Sequence, residues 1–139
     1  MVAAPAAAAA LRSLRDGTTR MVVVARADDL TAADLSIGEA LQAPVPRVLG
    51  GFTSERTFQL MHLYVPPAAR GEGLALALLH RLAHVLREDG CRRIELDDMS
   101  DRYRAGGNVY IRAGFDYCRT DGPEMAATPR RVLARRSGG

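Results

Sequence analysis

The 139-residue sequence predicts a single α+β (or α/β) domain with a mixed central β-sheet of six to seven strands flanked by helices. Three observations lead to this prediction. Short apolar runs rich in β-branched residues alternate along the chain with segments of helical leucine and alanine spacing. One long strand passes through a glycine-bearing turn into a helix and then into another strand, and such a crossover makes its two strands parallel. Hairpin-like strand pairs flank the crossover and make the sheet mixed.

The amino-terminal segment is rich in alanine. We expect residues 1–18 to form a helix or a tail, with the helix ending near Gly17, and residues 19–139 to form the single domain. A targeting segment is the alternative interpretation, because the segment is poor in acidic residues and contains Arg12 and Arg15.

The next part of the chain predicts a strand, a short helix and a hairpin. A β-branched apolar run predicts a strand over 21–25. Thr31 or Asp29 as a cap predicts a short helix from about Thr31. Two further apolar runs predict strands over 46–52 and 57–65, joined by a turn.

Helical leucine spacing dominates the middle of the chain, from Gly73 to Glu88, and Asp89 followed by glycine predicts the helix end. In the strand after it, Ile94 and Leu96 alternate with polar residues that face the other way. The remaining predicted elements are a loop over 99–107, a short helix that ends at Gly114, and two final strands over 115–119 and 130–136.

Composition narrows the function classes. The net charge is +3, all 19 basic side chains are arginine, and aromatic residues make up 5% of the chain. Few aromatics leave little surface for base stacking, so we rank nucleic-acid binding last. The apolar runs are too short to span a membrane. Cys91 and Cys118 make no disulfide framework, and we expect buried free thiols in a reducing, cytoplasmic compartment.

The turn between the third strand and the long helix has an unusual composition. Gly71 and Gly73 lack the Cβ atoms that would hold a phosphate group away from the backbone, and Arg70 adds a fork of donors. The first amides of a helix have no partner within it, so the turn predicts a diphosphate site, unless it only tightens the connection. A P-loop and a dinucleotide fingerprint are excluded, because there is no lysine and Leu76 replaces the third glycine.

Two motifs give the sequence a resemblance to a known family. The segment VPPAARGEGLA resembles the acetyl-coenzyme A loop of the GNAT N-acetyltransferase superfamily, whose Q/R-x-x-G-x-G/A pattern is matched at Arg70, Gly73 and Ala75. Further on, YIRAGF is similar to the family's tyrosine-x-x-x-glycine-phenylalanine signature, which begins here at Tyr110. The resemblance extends over residues 57–117.

The resemblance implies that the protein uses acetyl-coenzyme A as a co-substrate and acetylates a primary amine. In this family the strand before the loop and the strand after the helix splay apart, and pantetheine lies in the opening. Backbone groups would then contact pantetheine, helix amides would hold the pyrophosphate, and Asn108 would either reach the cofactor or cap the short helix. The implied cofactor-binding residues are Leu63, Val65, Arg70, Gly71, Glu72, Gly73, Leu74, Ala75, Asn108 and Tyr110.

The resemblance also implies a general acid. Tyr110 occupies the motif position of the residue that protonates the departing thiolate, and its alternative role is packing beside Phe115.

The position of the general base, which accepts the amine proton, differs from that in the family. Family bases often lie on the strand before the loop, at positions that hold Gln59 and Met61 here. Strand alternation predicts His62 on the opposite face, as a packed or partly buried histidine. Asp97 or Glu95, at the end of the following strand, are the implied proton acceptors.

The same strand end predicts an acidic entrance. Asp97, Asp98 and Asp101 together would attract a cationic amine, unless they only cap and turn the loop.

No metal site is expected. His80 and His84 lie one helical turn apart, but Arg81 stands where a metalloprotease motif has glutamate, so we expect a solvated helix face.

Three hypotheses remain for function. The first is an acetyl-coenzyme A-dependent N-acetyltransferase whose acceptor is a small-molecule or peptide amine that the sequence does not identify. The second is a catalytically degenerate binding module of the same fold, motivated by the missing base. The third is a nucleic-acid binder. Such folds commonly dimerise, so the sequence is compatible with a homodimer.

Overall fold

The computed structural model describes residues 21–26, 29–34, 47–65, 73–100 and 108–135, and it describes side chains from Arg47 onward. The predicted amino-terminal helix or tail lies outside these residues. The elements in chain order are β1 (Met21–Arg26), β2 (Asp29–Asp34), β3 (Arg47–Ser54), β4 (Thr57–Tyr64), α1 (Leu74–Glu88), β5 (Arg93–Asp97), α2 (Val109–Ala113), β6 (Asp116–Tyr117), β7 (Glu124–Ala127) and α3 (Pro129–Ala134).

The described strands form one mixed sheet in the order β2-β1-β3-β4-β5-β7-β6. β4 and β5 pair in parallel, and the other neighbours pair antiparallel. This arrangement confirms the predicted crossover through the long helix and the hairpin before it. The α+β class with a mixed sheet is also confirmed.

The short helix predicted from about Thr31 is wrong over its first residues. Asp29–Asp34 form β2, which pairs with β1 in an antiparallel register from Asp29–Arg26 to Asp34–Met21. The helix propensity of the alanines in this segment is a weak preference that strand pairing overrides. The rest of the predicted helix falls in residues 35–46, which lie outside the described part of the chain.

The final strand predicted over 130–136 is also wrong. Pro129–Ala134 form helix α3, and the Thr128 side chain caps it by accepting a hydrogen bond from the Arg131 amide at 3.1 Å. Proline at the first helical positions is already fixed near helical φ, so this pair of residues starts a helix. The last strand, β7, comes earlier in the chain and pairs with β5.

The core lies between α1 and the sheet. Ile94 and Leu96 of β5 are buried, whereas Glu95 and Asp97 face away, as the alternation predicts. The predicted end of α1 is confirmed, with Asp89 as the C-cap. The buried residues of α1 are Leu76, Leu78, Leu79, Leu82, Ala83, Val85 and Leu86.

Candidate active site

β4 and β5 pair along only part of their length. The parallel register runs from Thr57–Arg93 to Leu60–Leu96 and stops there. β4 continues to Tyr64 and pairs with β3 along its other edge, while the last residue of β5 pairs with β7. Within the described residues, the sheet therefore has an opening between the carboxyl ends of two parallel neighbours.

A β-bulge lies where this opening begins. Two successive residues of β3 pair with His62 and Leu60, so Met61 is an extra residue in β4. Because side chains alternate with a period of two, the extra residue reverses which positions face the core. Beyond the bulge, Leu63 and Val65 pack against the core.

The bulge changes the surroundings of His62. Its ring stacks on Tyr64, with centroids 6.1 Å apart and planes 10° from parallel, and the Arg47 guanidinium lies 4.2 Å from the Tyr64 ring centroid. Since Leu63 takes the core-facing position, the predicted face of His62 is wrong, although the ring is partly buried as expected. Burial, and then the positive charge of Arg47, lower the pKa of His62 below 6.5, so the ring is mainly neutral at neutral pH.

The amino terminus of α1 follows the connection from β4. Gly73 is the N-cap with φ 73°, in the left-handed region that favours glycine. No side chain of the described residues caps the helix, and its first turn contains no acidic residue. A Cβ added at Gly73 would meet no heavy atom of the described residues within 4 Å, so this part of the chain leaves the space beside the helix end open. Of the predicted pyrophosphate contacts, Leu74 and Ala75 lie in this turn, and those at 70–72 lie outside the described residues.

Asp98, the residue after β5, is a buried carboxylate that accepts hydrogen bonds from three segments. It is 2% exposed. Its Oδ1 accepts from the Ser100 amide at 3.1 Å and the Ser100 hydroxyl at 2.5 Å, and its Oδ2 accepts from Asn108 Nδ2 at 2.8 Å and from the Tyr117 hydroxyl. Burial alone would raise the pKa of Asp98, but these hydrogen bonds outweigh burial and lower it. The predicted place of Asp98 in an exposed acidic entrance is therefore wrong.

Asn108 connects Asp98 to the start of α2. Its Oδ1 accepts from the amides of Tyr110 at 2.8 Å and Ile111 at 3.1 Å, while its Nδ2 donates to Asp98. The structure thus shows the capping role, with both ends of the side-chain amide engaged by the protein. Because Asp98 directly follows β5, these hydrogen bonds hold the start of α2 at the carboxyl end of β5.

Tyr110 lies in the first turn of α2 and packs against the core. Its ring meets Phe115 edge-on, with centroids 6.3 Å apart and planes at 79°. Burial, and then the negative charge of Asp98, raise the pKa of Tyr110 above 10.0. The hydroxyl therefore keeps its proton at neutral pH and is able to donate it.

The two carboxylates predicted as proton acceptors differ in their surroundings. Glu95 lies inside the paired region, opposite Gln59, and its Oε2 accepts from Arg93 Nε at 2.7 Å. Asp97 comes one residue after Leu96, the last partner of β4, and is exposed. Its backbone pairs with Glu124 of β7, but its side chain has no hydrogen bond or ion pair to any described residue. Asp97 is therefore the carboxylate that faces solvent at the opening.

Sequence reasoning missed the role of Asp98 and its partners Ser100 and Tyr117. One signal was available, because alternation places residue 98 on the same side as the buried Ile94 and Leu96. Its partners lie 2, 10 and 19 residues away in sequence, and no local pattern joins them.

Outside the opening, two predictions about side-chain exposure are wrong. The helix face with His80 and His84 is half-buried, and the buried His84 Nε2 has no hydrogen-bond partner among the described residues. Cys91 is buried as predicted, but Cys118 is exposed. The described ranges contain no group of three or more His, Cys, Asp or Glu side chains placed to hold a metal ion. They also contain no helix that is long and apolar enough to cross a membrane.

Comparison with protein families gives a match to the acetyltransferase (GNAT) family over residues 14–115, which is most of the chain. No curated protein matches the sequence.

Solved structures share the fold at low sequence identity. PaiA N-acetyltransferase from Thermoplasma acidophilum, in complex with coenzyme A, has a TM-score of 0.56 and 18% identity over 85% of this chain and 65% of that chain. The KacTA–DNA complex has a TM-score of 0.51 and 12% identity over 91% of this chain and 83% of that chain. Tetrahymena GCN5 has a TM-score of 0.50 and 11% identity over 74% of this chain and 69% of that chain. In four of the matched structures the alignment covers only 62 to 65% of the other chain, so this chain spans less than two thirds of their length.

Proposed function

Because this chain belongs to the GNAT acetyltransferase family, we propose that it transfers the acetyl group of acetyl-coenzyme A to a primary amine. The observation that carries the proposal is the opening between β4 and β5, which begins at the Met61 bulge. An extended chain such as pantetheine can lie along a strand edge, in the manner of β-augmentation.

The residues around the opening suit this co-substrate. The start of α1 offers helix amides without a side-chain cap, and no acidic residue in its first turn would repel a pyrophosphate. The open space around Gly73 leaves room for that group. We assign the pyrophosphate to the amides of residues 70–75 and the pantetheine arm to the backbone of Leu63 and Val65.

The described side chains would divide the proton transfers between them. When bound, acetyl-coenzyme A supplies a thioester, and transfer forms a C–N bond and breaks the C–S bond. Asp97 would accept the proton that the amine loses, and Tyr110 would donate a proton to the departing sulfur. Asp98 and Asn108 would act through Tyr110, because they fix the start of α2. Because Glu95 is already paired with Arg93, we assign Glu95 a smaller role in accepting the proton of the amine.

A second candidate function is a binding module that retains the co-substrate site without turnover. It is favoured by the side chains of Gln59 and Met61, neither of which can accept a proton as a general base.

Two measurements on the full chain test the proposal. Acetyl-coenzyme A should raise the melting temperature by several degrees, because a ligand that binds the folded state stabilises it. Incubation with a panel of primary amines should then release free thiol. A thermal shift without thiol release would select the binding module, and no shift at millimolar acetyl-coenzyme A would overturn both functions.

A matched pair of glycine variants locates the site. Gly73 and Gly90 both have positive φ, 73° and 91°, and lie at opposite ends of α1. Gly73→Ala and Gly90→Ala should each cost about 1–2 kcal/mol of backbone strain. Only Gly73→Ala should also weaken the thermal shift caused by acetyl-coenzyme A, because its new methyl group enters the open space at the helix end.

A further inference from the structure

We infer that the acceptor of this site is a primary amine carried on an apolar group, held by Asp97 at its ammonium end and by Met61 and Met99 along its apolar part. The inference rests on the proposed function and names the class of its second substrate.

The apolar part of the inference comes from two exposed methionines. Among the described residues, the large hydrophobic side chains that remain exposed are Met61, at 59%, and Met99, at 82%. Met61 directly follows Leu60, and Met99 lies three residues after Leu96, where the pairing of Leu60 with Leu96 ends. The exposed apolar surface is therefore found on β4 and just beyond the end of β5, the two strands that border the opening.

Single exposed apolar side chains are common on protein surfaces, so position is what distinguishes this pair. Met61 is the bulge residue, and its Cε lies 3.8 Å from the place that a Cβ would take at Gly51. Its side chain thus reaches over β3, on the face of the sheet away from the core. Methionine is flexible and polarisable, which suits contact with apolar groups of varied shape.

Charge supplies the other half of the inference. Asp97 points away from the core, and it has no described partner. Glu95 on the same face is neutralised by Arg93 at 2.7 Å. Among the carboxylates that the structure describes on this face of β5, Asp97 is therefore the one open to a protonated amine, close in sequence to the exposed Met99. A hydrophilic diamine would satisfy the carboxylate and leave both thioethers in water.

The test is a kinetic series of amines matched in length. Ethylamine, butylamine and hexylamine are compared with ethanolamine, 1,4-diaminobutane and 1,6-diaminohexane, and leucine amide is compared with serine amide to include α-amines. We expect kcat/KM to rise about two- to fourfold with each added methylene of the alkylamines. The hydroxyl and diamine partners of equal length should fall below their alkyl counterparts.

Variants assign the effect to the two methionines. In Met61→Ser/Met99→Ser the rise with chain length should flatten. The control is Arg92→Ser, at an exposed site at the opposite end of β5. In this variant the rise of kcat/KM with chain length should persist. Equal kcat/KM for alkylamines and diamines in the wild type would overturn the inference, and so would an unchanged slope in the double variant.

A binding readout separates this inference from the proposed function. With coenzyme A bound, the methyl resonances of Met61 and Met99, identified by the two single variants, should shift on addition of hexylamine and not of 1,6-diaminohexane. If no amine releases thiol, the proposed turnover fails, while these shifts still decide the acceptor class. Equal shifts with both amines, or none with either, would overturn the inference.

Discussion

The two halves of β4 contribute different things to the molecule. From Thr57 to Leu60 the strand pairs with β3 and β5, and Phe58 and Leu60 are buried. From Met61 onward β4 pairs with β3 and has parted from β5, and its first side chain is exposed. The first half therefore builds the core, and the second half borders the proposed site. The boundary between the halves falls between Leu60 and Met61, so stability and activity should respond to different substitutions on the two sides of it.

The largest expected effect is a loss of stability, and it tests which residues at the opening support the fold. Asp98→Asn replaces one carboxylate oxygen with an NH₂ group, so either Ser100 at Oδ1 or both Asn108 and Tyr117 at Oδ2 would face a donor instead of an acceptor. We expect a loss of about 3 kcal/mol in the free energy of unfolding, measured by urea denaturation at neutral pH.

The pH dependence of that loss follows from the lowered pKa of Asp98. A carboxyl group whose pKa is lower in the folded than in the unfolded state stabilises the fold above the unfolded value, about 3.9. This contribution disappears as the pH falls through the folded value. The difference between wild type and variant should therefore be constant near neutral pH and shrink below about pH 4.

Asp97→Asn is the matched control, since it makes the same chemical change one residue away. The exposed Asp97 has no described partner, so its variant should stay within about 0.5 kcal/mol of wild type. Equal losses in the two variants would mean that the Asp98 hydrogen bonds do not stabilise the fold.

The next effect concerns activity. Tyr110→Phe removes the proposed proton donor and keeps the ring that packs against Phe115. We expect kcat for acetyl transfer to fall about 100-fold, which corresponds to about 2.7 kcal/mol, with a melting temperature close to that of wild type. Since the pKa of Tyr110 is raised above 10.0, deprotonation of this residue should not lower wild-type activity at neutral or mildly alkaline pH. A kcat within threefold of wild type would exclude Tyr110 as the acid.

The smallest effect compares two adjacent glycines of β3. A Cβ at Gly50 would lie 2.4 Å from Phe58 Cζ and 2.5 Å from the Gln59 carbonyl oxygen, in the paired half. Among the described residues, a Cβ at Gly51 would meet only Met61 Cε, at 3.8 Å. Gly50→Ala should lose about 2 kcal/mol of stability, and Gly51→Ala should lose little. The midpoints of urea unfolding of the two variants measure this difference. Similar midpoints would show that the sheet relaxes around Phe58 without loss of stability.

The sequence predicted the parts of the fold that local patterns determine. Helical spacing located α1, and alternation in β5 separated the buried Ile94 and Leu96 from the outward carboxylates. The crossover then placed β4 parallel to β5. These features depend on periodicity within a few residues, which a single sequence displays directly.

The failures came where distant residues decide the outcome. Pairing with β1 turned the alanine-containing segment at Thr31 into a strand. No residue type marks Met61 as a bulge, because the extra residue is defined only by its partner strand. Asp98 was expected in solvent, since its burial depends on Asn108 and Tyr117 arriving from later in the chain.

Because of the bulge, the number of residues in β4 affects the proposed function. Insertions and deletions are usually tolerated in loops, where they leave the pairing of strands unchanged. Loss of Met61 alone would leave Leu60 opposite Gly50 and His62 opposite Leu49, so the ladder with β3 would become regular and no side chain would change face. A frame-preserving deletion of this one codon should thus be tolerated by the fold, and its cost should fall on the proposed acceptor site instead.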